Sequence, residues 1–181
     1  MREQVTDGIV RLEDMCGIAG IIGLSGEGPG SLDMLDRMVE SMRERGPDDR
    51  GTAIEGRAAL GMRRLSIIDL ESGNQPIESE DGSVRVILNG EIYSSQEMRK
   101  DLERAGHRFS TRSDTEVLVH GYEQWGIEGL LGRINGMFAF ALHDIPGDRI
   151  FLARDRLGIM LILYTVRKER LYFASSLKAL L

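Results

Sequence analysis

Seven residues without a polar side chain, Gly17-Ile18-Ala19-Gly20-Ile21-Ile22-Gly23, begin directly after the only cysteine of the chain, Cys16. An isoleucine-rich run closed at both ends by glycine predicts a buried strand, with the thiol at its edge. A single cysteine makes no internal disulfide, so Cys16 serves either packing or reactivity. As packing it is a small buried hydrophobe. As chemistry, a chain trimmed back to Cys16 would carry a nucleophilic sulfur and a free α-amine, of pKa about 7.7–8.0, on one residue.

Further elements follow in two groups. Ser31 predicts an N-cap, with Leu32, Leu35, Met38, Val39 and Met42 on one helical stripe that should stop at Gly46-Pro47. Strands are predicted over Ala58 to Met62, Leu65 to Leu70 and Val84 to Leu88, with Asp81-Gly82 as a turn. Ser95 to Ala105 and Asp114 to about Trp125 read as helices, the first closed by Gly106, the second opened by Ser113 with Glu116 as capping-box partner. Met137 to Leu142 alternates large and small residues, and Ile150 to Ala153, Leu161 to Val166 and Leu171 to Ala174 are further strands. Ser176 begins a helical turn. The pattern predicts an α+β layered domain without repeats.

Composition narrows the function classes. A chain of 181 residues suits one well-cored domain. No apolar run approaches the roughly 18 residues of a membrane span. A net charge of −6 argues against nucleic acid as a partner. The first fourteen residues, MREQVTDGIVRLED, lack the continuous apolar stretch of a secretory signal, so a cytoplasmic location is expected. No GxGxxG or Walker-type phosphate loop is present. His107, His120 and His143 are isolated in the sequence, so no metal site is expected.

Polar clusters interrupt the strands in a fixed order: Arg45-Gly46-Pro47-Asp48, Arg63-Arg64-Leu65-Ser66-Ile67-Ile68-Asp69, Asn89-Gly90-Glu91-Ile92-Tyr93, Ser113-Asp114-Thr115-Glu116, Gly136 to Ala141, and Arg154-Asp155-Arg156-Leu157-Gly158-Ile159. With Cys16 these resemble the class II glutamine amidotransferase domain, above all the glutaminase domain of glutamine-hydrolysing asparagine synthetases. The resemblance covers Cys16 to about Leu181. It implies an N-terminal-nucleophile hydrolase fold, an αββα four-layer sandwich with two antiparallel sheets between helical layers. It implies hydrolysis of L-glutamine to glutamate and ammonia, with Cys16 as nucleophile and its own α-amine as base.

The resemblance also implies an oxyanion hole from the Asn89 side chain and the Gly90 N–H. Read alone, Asn89-Gly90 is first a hairpin turn, and only the other motifs favour the functional reading. Arg64 would bind the substrate α-carboxylate as a planar fork, while Leu65, Ser66, Ile67 and Ile68 would wall the pocket. Asp114 would receive the substrate ammonium, assisted by Glu91; by itself Asp114 could be only a helix-capping residue. Arg63, on the opposite strand face, is expected to be solvated. Arg45 to Asp48 is either a helix stop or scaffold beside the site, and Arg154 with Asp155 is expected to form a structural ion pair. No cofactor is expected in this domain; ATP and magnesium would belong to a separate synthetase or amidating partner.

Departures from the family bear on these expectations. Residues 1–14 precede the nucleophile, as an extension before a start at Met15, as a removed prosegment, or as a block that leaves the thiol inactive. Arg63 and Ser94 stand where the family usually has histidine and asparagine. Gly158 to Tyr164 and Ser176 differ near the expected partner surface. The alternatives to a working glutaminase are an inactive glutamine-binding or regulatory module and a fragment of an asparagine synthetase lacking its ATP-dependent domain.

Overall fold

Side chains that alternate along β1 (Gly17–Gly23) face two different cores, which places this strand between layers. Ile18 and Ile22 point to one side, whereas Ala19 and Ile21 point to the other. The structure, a computed structural model, describes residues 15–24, 28–65 and 73–181. In it β1 pairs antiparallel with β3 (Ala58–Arg64) and β9 (Arg170–Ala174); the edges are β2 (Asp49–Glu55) and β8 (Leu163–Arg167), in the order β2-β3-β1-β9-β8. A second antiparallel sheet, β4-β5-β6-β7, comprises Ile77–Glu78, Val84–Ile92, Gly136–Asp144 and Arg149–Arg154.

Three buried clusters define four layers. Helix α1 (Leu32–Glu40) packs Leu35, Met38 and Val39 on the outer face of the first sheet. Ile18, Leu60, Met62 and Phe173 meet Ile87, Ala139 and Ala141 between the sheets. Helices α2 (Ser95–Arg104) and α3 (Glu116–Arg133) cover the outer face of the second sheet over Val86, Leu88, Phe138, Phe140 and Leu142. The large–small alternation of β6 is thereby explained: its bulky side chains meet helices, and its alanines let the other sheet approach. This is the αββα sandwich that the resemblance implied.

Local differences from the expectations have physical causes. Leu32 lies on the exposed side of α1, and the helix proper closes at Glu40, continuing as turns to Arg45 before Gly46-Pro47. A Cβ at Gly46 would lie 2.3 Å from the Arg63 carbonyl carbon, so the chain there is pressed against β3. Asn89-Gly90 is no hairpin turn; both residues sit inside β5, paired with Ala139 and Phe138. Ser113 does not make a capping box. Thr115 is the N-cap of α3, and the Glu116 carboxylate turns back to the N–H and hydroxyl groups of Ser110 and Thr111. Burial opposes its charge, but hydrogen bonds from His120, Thr111 and Ser110 prevail and hold its pKa at about 2. Arg63 is buried rather than solvated and reaches Glu40 at 3.8 Å, because β3 is covered by α1 on that face. Of the strand expected over 65–70, Leu65 lies outside any strand and 66–70 are outside the described residues.

Asp155 is a hub for backbone, and among the described residues no ion pair involves it. Its carboxylate accepts N–H bonds from Phe138, Leu157, Ile159 and Met160. Burial would raise its pKa, but these donors outweigh it and hold the carboxyl below the usual carboxylate range. A depressed folded-state pKa adds stability above the ordinary carboxylate value, about 3.9, that is lost as pH falls through the folded one. Asp155→Ala should therefore cost on the order of 3 kcal/mol at neutral pH, by leaving buried donors without an acceptor. In urea melts the difference from the parent should shrink on acidification below pH about 4.

Candidate active site

The start of β1, the end of β3, the middle of β5 and the entrance to α3 converge on one pocket of about 110 Å³. Cys16, Arg64, Leu65, Gly90, Glu91 and Asp114 line it, together with Met15, Gly73, Gln75, Leu88, Ser113, Thr115 and Met137. Residues 16, 64, 65, 90, 91 and 114, distant in sequence, are thus brought together at one pocket. Ser66, Ile67 and Ile68 lie outside the described residues.

At the thiol, Cys16 Sγ accepts from Leu65 N–H at 3.3 Å and faces the Leu65 carbonyl at 3.6 Å. Burial pushes the thiol pKa up, countered by the Leu65 backbone and the Arg64 charge. The half-buried thiol therefore needs a base before it can act as a nucleophile. Arg45 donates from Nε to the Cys16 carbonyl at 3.3 Å, so the Arg45-Gly46-Pro47-Asp48 segment is scaffold for the Cys16 backbone. Met15 is 9% exposed and packs in the inter-sheet core beside Cys16, to which it is joined by a peptide bond.

Charges of opposite sign stand at separate parts of the pocket wall. Arg64 is buried and donates from Nη1 to Asn74 Oδ1 at 2.8 Å. Asp114 accepts from Ile92 N–H at 2.8 Å. Burial raises the Asp114 pKa; the Ile92 bond lowers it, and the nearby Glu91 charge raises it again. A second negative charge acting on Asp114 favours a cation at this part of the pocket.

Asn89 is fully buried behind the pocket rather than lining it. Its Nδ2 donates to Ser175 Oγ at 3.4 Å, and the same hydroxyl oxygen accepts from Ile18 N–H at 3.0 Å. One hydroxyl thus links Asn89 to β1, the strand that follows Cys16. The Asn89 Oδ1 has no hydrogen-bond partner among the described residues. Gly90 has φ 128, and a Cβ there would lie 2.0 Å from the Met137 carbonyl, so only glycine fits this ladder position.

Gln75, which lines the pocket, and Ser175, bonded to Asn89 behind it, carry no expectation from the sequence. Gln75 Oε1 accepts from Leu88 N–H at 2.6 Å while its Nε2 donates to Thr115 Oγ1 at 3.2 Å. One side chain therefore fastens β5 to the entrance of α3. Ser175 stood in a segment read only as the lead-in to a helical turn.

A family model described as "Glutamine amidotransferase domain" matches residues 15–181, and the chain belongs to that family. Within it, the domain is of the asparagine-synthetase type. It is 45% identical over 170 residues to asparagine synthetase [glutamine-hydrolyzing] 2 of Bacillus subtilis, a match over 92% of this chain and 22% of that protein. Asparagine synthetase [glutamine-hydrolyzing] 1 of Arabidopsis thaliana is 37% identical over 145 residues, covering 80% of this chain and 24% of its own length. The chain thus spans about a quarter of the length of the curated relatives it matches. Among solved structures, glutamine phosphoribosylpyrophosphate amidotransferase from B. subtilis superposes with a TM-score of 0.75 at 22% identity, over 91% of this chain and 42% of that one, a likeness of fold.

Proposed function

We propose that this domain hydrolyses the side-chain amide of L-glutamine and passes the ammonia to an amidating partner. The observation that carries the reading is the convergence of a thiol, a buried guanidinium and two carboxyl groups on one pocket. Arg64 takes the substrate α-carboxylate, and Asp114 with Glu91 takes the ammonium, which selects a free amino acid over a glutamine within a peptide. The thiol proton passes to the Cys16 α-amine, and sulfur attacks the amide carbon. The amine then protonates the departing nitrogen as the C–N bond breaks. Water attacks the resulting thioester, releasing glutamate and restoring the thiol. Asn89 and Gly90 donate to the oxyanion in both steps.

The pocket assignment is tested by steady-state ammonia release from protein beginning at Cys16. Arg64→Ala should raise KM for glutamine on the order of 100-fold, by losing a charge-assisted bidentate contact. An unchanged KM overturns the assignment. Binding also needs Asp114 ionised. Because burial raises its pKa, KM should climb on acidification at a pH above the ordinary carboxylate range, and Asp114→Asn should remove that limb.

The partner is a synthetase or amidating unit that uses ATP and magnesium; neither is assigned to this domain. Leu157, Ile159, Leu161 and Tyr164 are exposed on one stretch, which supports a docking surface there. The second reading, a glutamine-binding module without hydrolysis, is favoured by one observation: the Cys16 nitrogen is in a peptide bond to the buried Met15. Cys16→Ala separates the two, abolishing ammonia release in the first and leaving glutamine affinity nearly unchanged in the second. No helix among the described residues is long and apolar enough to cross a membrane.

A further inference from the structure

The histidines isolated in sequence are not isolated in space. His107, just past Gly106 at the end of α2, packs its ring 5.1 Å from that of His120 on α3, the two planes tilted by 48°. The Nδ1 atoms of both rings face the same oxygen, Glu123 Oε2, at 3.6 Å from His107 and 3.1 Å from His120. One ligand atom from each of these three residues lies within 4.8 Å of the other two. A tetrahedron with ligand bonds of about 2.0–2.1 Å has an edge of about 3.3 Å, which the two observed separations bracket.

The outward-facing ring nitrogen of His107 has the surroundings of a metal-bound imidazole, pairing with Gln124 Oε1 at 3.1 Å. His120 Nε2 is buried 3.7 Å from Glu116 Oε1, without a hydrogen-bond partner among the described residues. His120 Nδ1 and Glu123 Oε2 are joined by a hydrogen bond at 3.1 Å, so a metal ion here replaces the Nδ1 proton and takes up both groups as ligands. Glu80, in the turn between β4 and β5, brings another carboxylate to 3.9 Å from His120 Nδ1. His120 is buried, but the Glu123 side chain is 24% exposed, which leaves a route from solvent.

We propose that His107, His120 and Glu123, with Glu80 or water in the fourth position, bind a divalent transition-metal ion of the zinc kind. The ion would staple the α2–α3 connection to the first turns of α3 and to the β4–β5 turn. It shares no ligand with the glutamine pocket, so its role is structural. Mixed imidazole and carboxylate donors suit zinc rather than calcium or magnesium, which prefer oxygen alone.

The test titrates zinc chloride into chelator-stripped full-chain protein carrying Cys16→Ala, because the thiol itself would bind zinc. One saturable equivalent is expected, with cobalt giving the visible bands of a tetrahedral nitrogen–oxygen site that zinc then bleaches. His107→Ala and Glu123→Gln, both at partly exposed positions, should each weaken binding at least tenfold. Gln124→Ala, which removes only an outer hydrogen bond, should weaken it on the order of tenfold. Zinc should raise the melting temperature of the Cys16→Ala protein more than that of the same protein with Glu123→Gln added, a comparison that also checks that the added variant folds. No saturable binding, or binding indifferent to both His107→Ala and Glu123→Gln, overturns the proposal and leaves the cluster a proton-bearing ion-pair network.

Discussion

A chain whose first residue is Cys16 should release ammonia from L-glutamine, and the same chain beginning at Met1 or Met15 should release none above background. Burial raises the thiol pKa, so sulfur needs a base within reach. In this mechanism that base is the α-amine of the same residue. In the longer chains its nitrogen is an amide, which takes up no proton near neutral pH. Loss of a positioned general base alone typically costs about 10²–10⁴-fold in rate. Met15 adds a second obstacle, since its side chain is buried against the inter-sheet core and lines the same pocket. Preparations defined by intact mass, assayed side by side for ammonia and glutamate, decide the matter. Glutamine hydrolysis by protein shown to retain Met1 would overturn the amine-as-base mechanism.

The elements read correctly from sequence are those whose local pattern and burial agree. β1 has the expected ends because an apolar run between glycines has no other low-energy use in a layered domain. β6 was visible because its alternation reports two faces of different depth. β2 was missed: Asp49–Glu55 is an edge strand paired only with β3, and its polar, half-exposed side chains carry no strong period. Arg63 was misplaced because strand alternation shows which face a side chain takes, not whether that face is covered; here α1 covers it.

The site was legible through resemblance rather than periodicity. Cys16, Arg64, Gly90, Glu91 and Asp114 come from three strands and a helix entrance, and no local rule relates positions on separate elements. The same limit hid the His107–His120 contact, which depends on where the chain turns after Gly106. Gln75 and Ser175 were overlooked for a related reason. Each acts by joining elements, and an isolated amide or hydroxyl has no signature for that.

Replacing Asn89 by alanine should lower kcat about 10²–10³-fold, the loss of about 2.7–4 kcal/mol expected when one oxyanion donor is removed, with little change in KM. The carboxamide must present its NH₂ to the reaction. Ser175 positions it: one N–H of Asn89 Nδ2 donates to Ser175 Oγ at 3.4 Å, an oxygen that also accepts from Ile18 N–H, and the second N–H of Nδ2 is left for the oxyanion. Ser175→Ala should therefore reduce kcat, by less than Asn89→Ala, and leave KM for glutamine near its parent value. Ser175→Thr, which keeps the hydroxyl, should recover part of the loss. Because Ser175 acts through Asn89, the double variant should be no slower than Asn89→Ala alone, a non-additivity that independent sites do not show. Additive losses would mean that Ser175 supports β1 through Ile18 and leaves the Asn89 amide to be oriented by other groups.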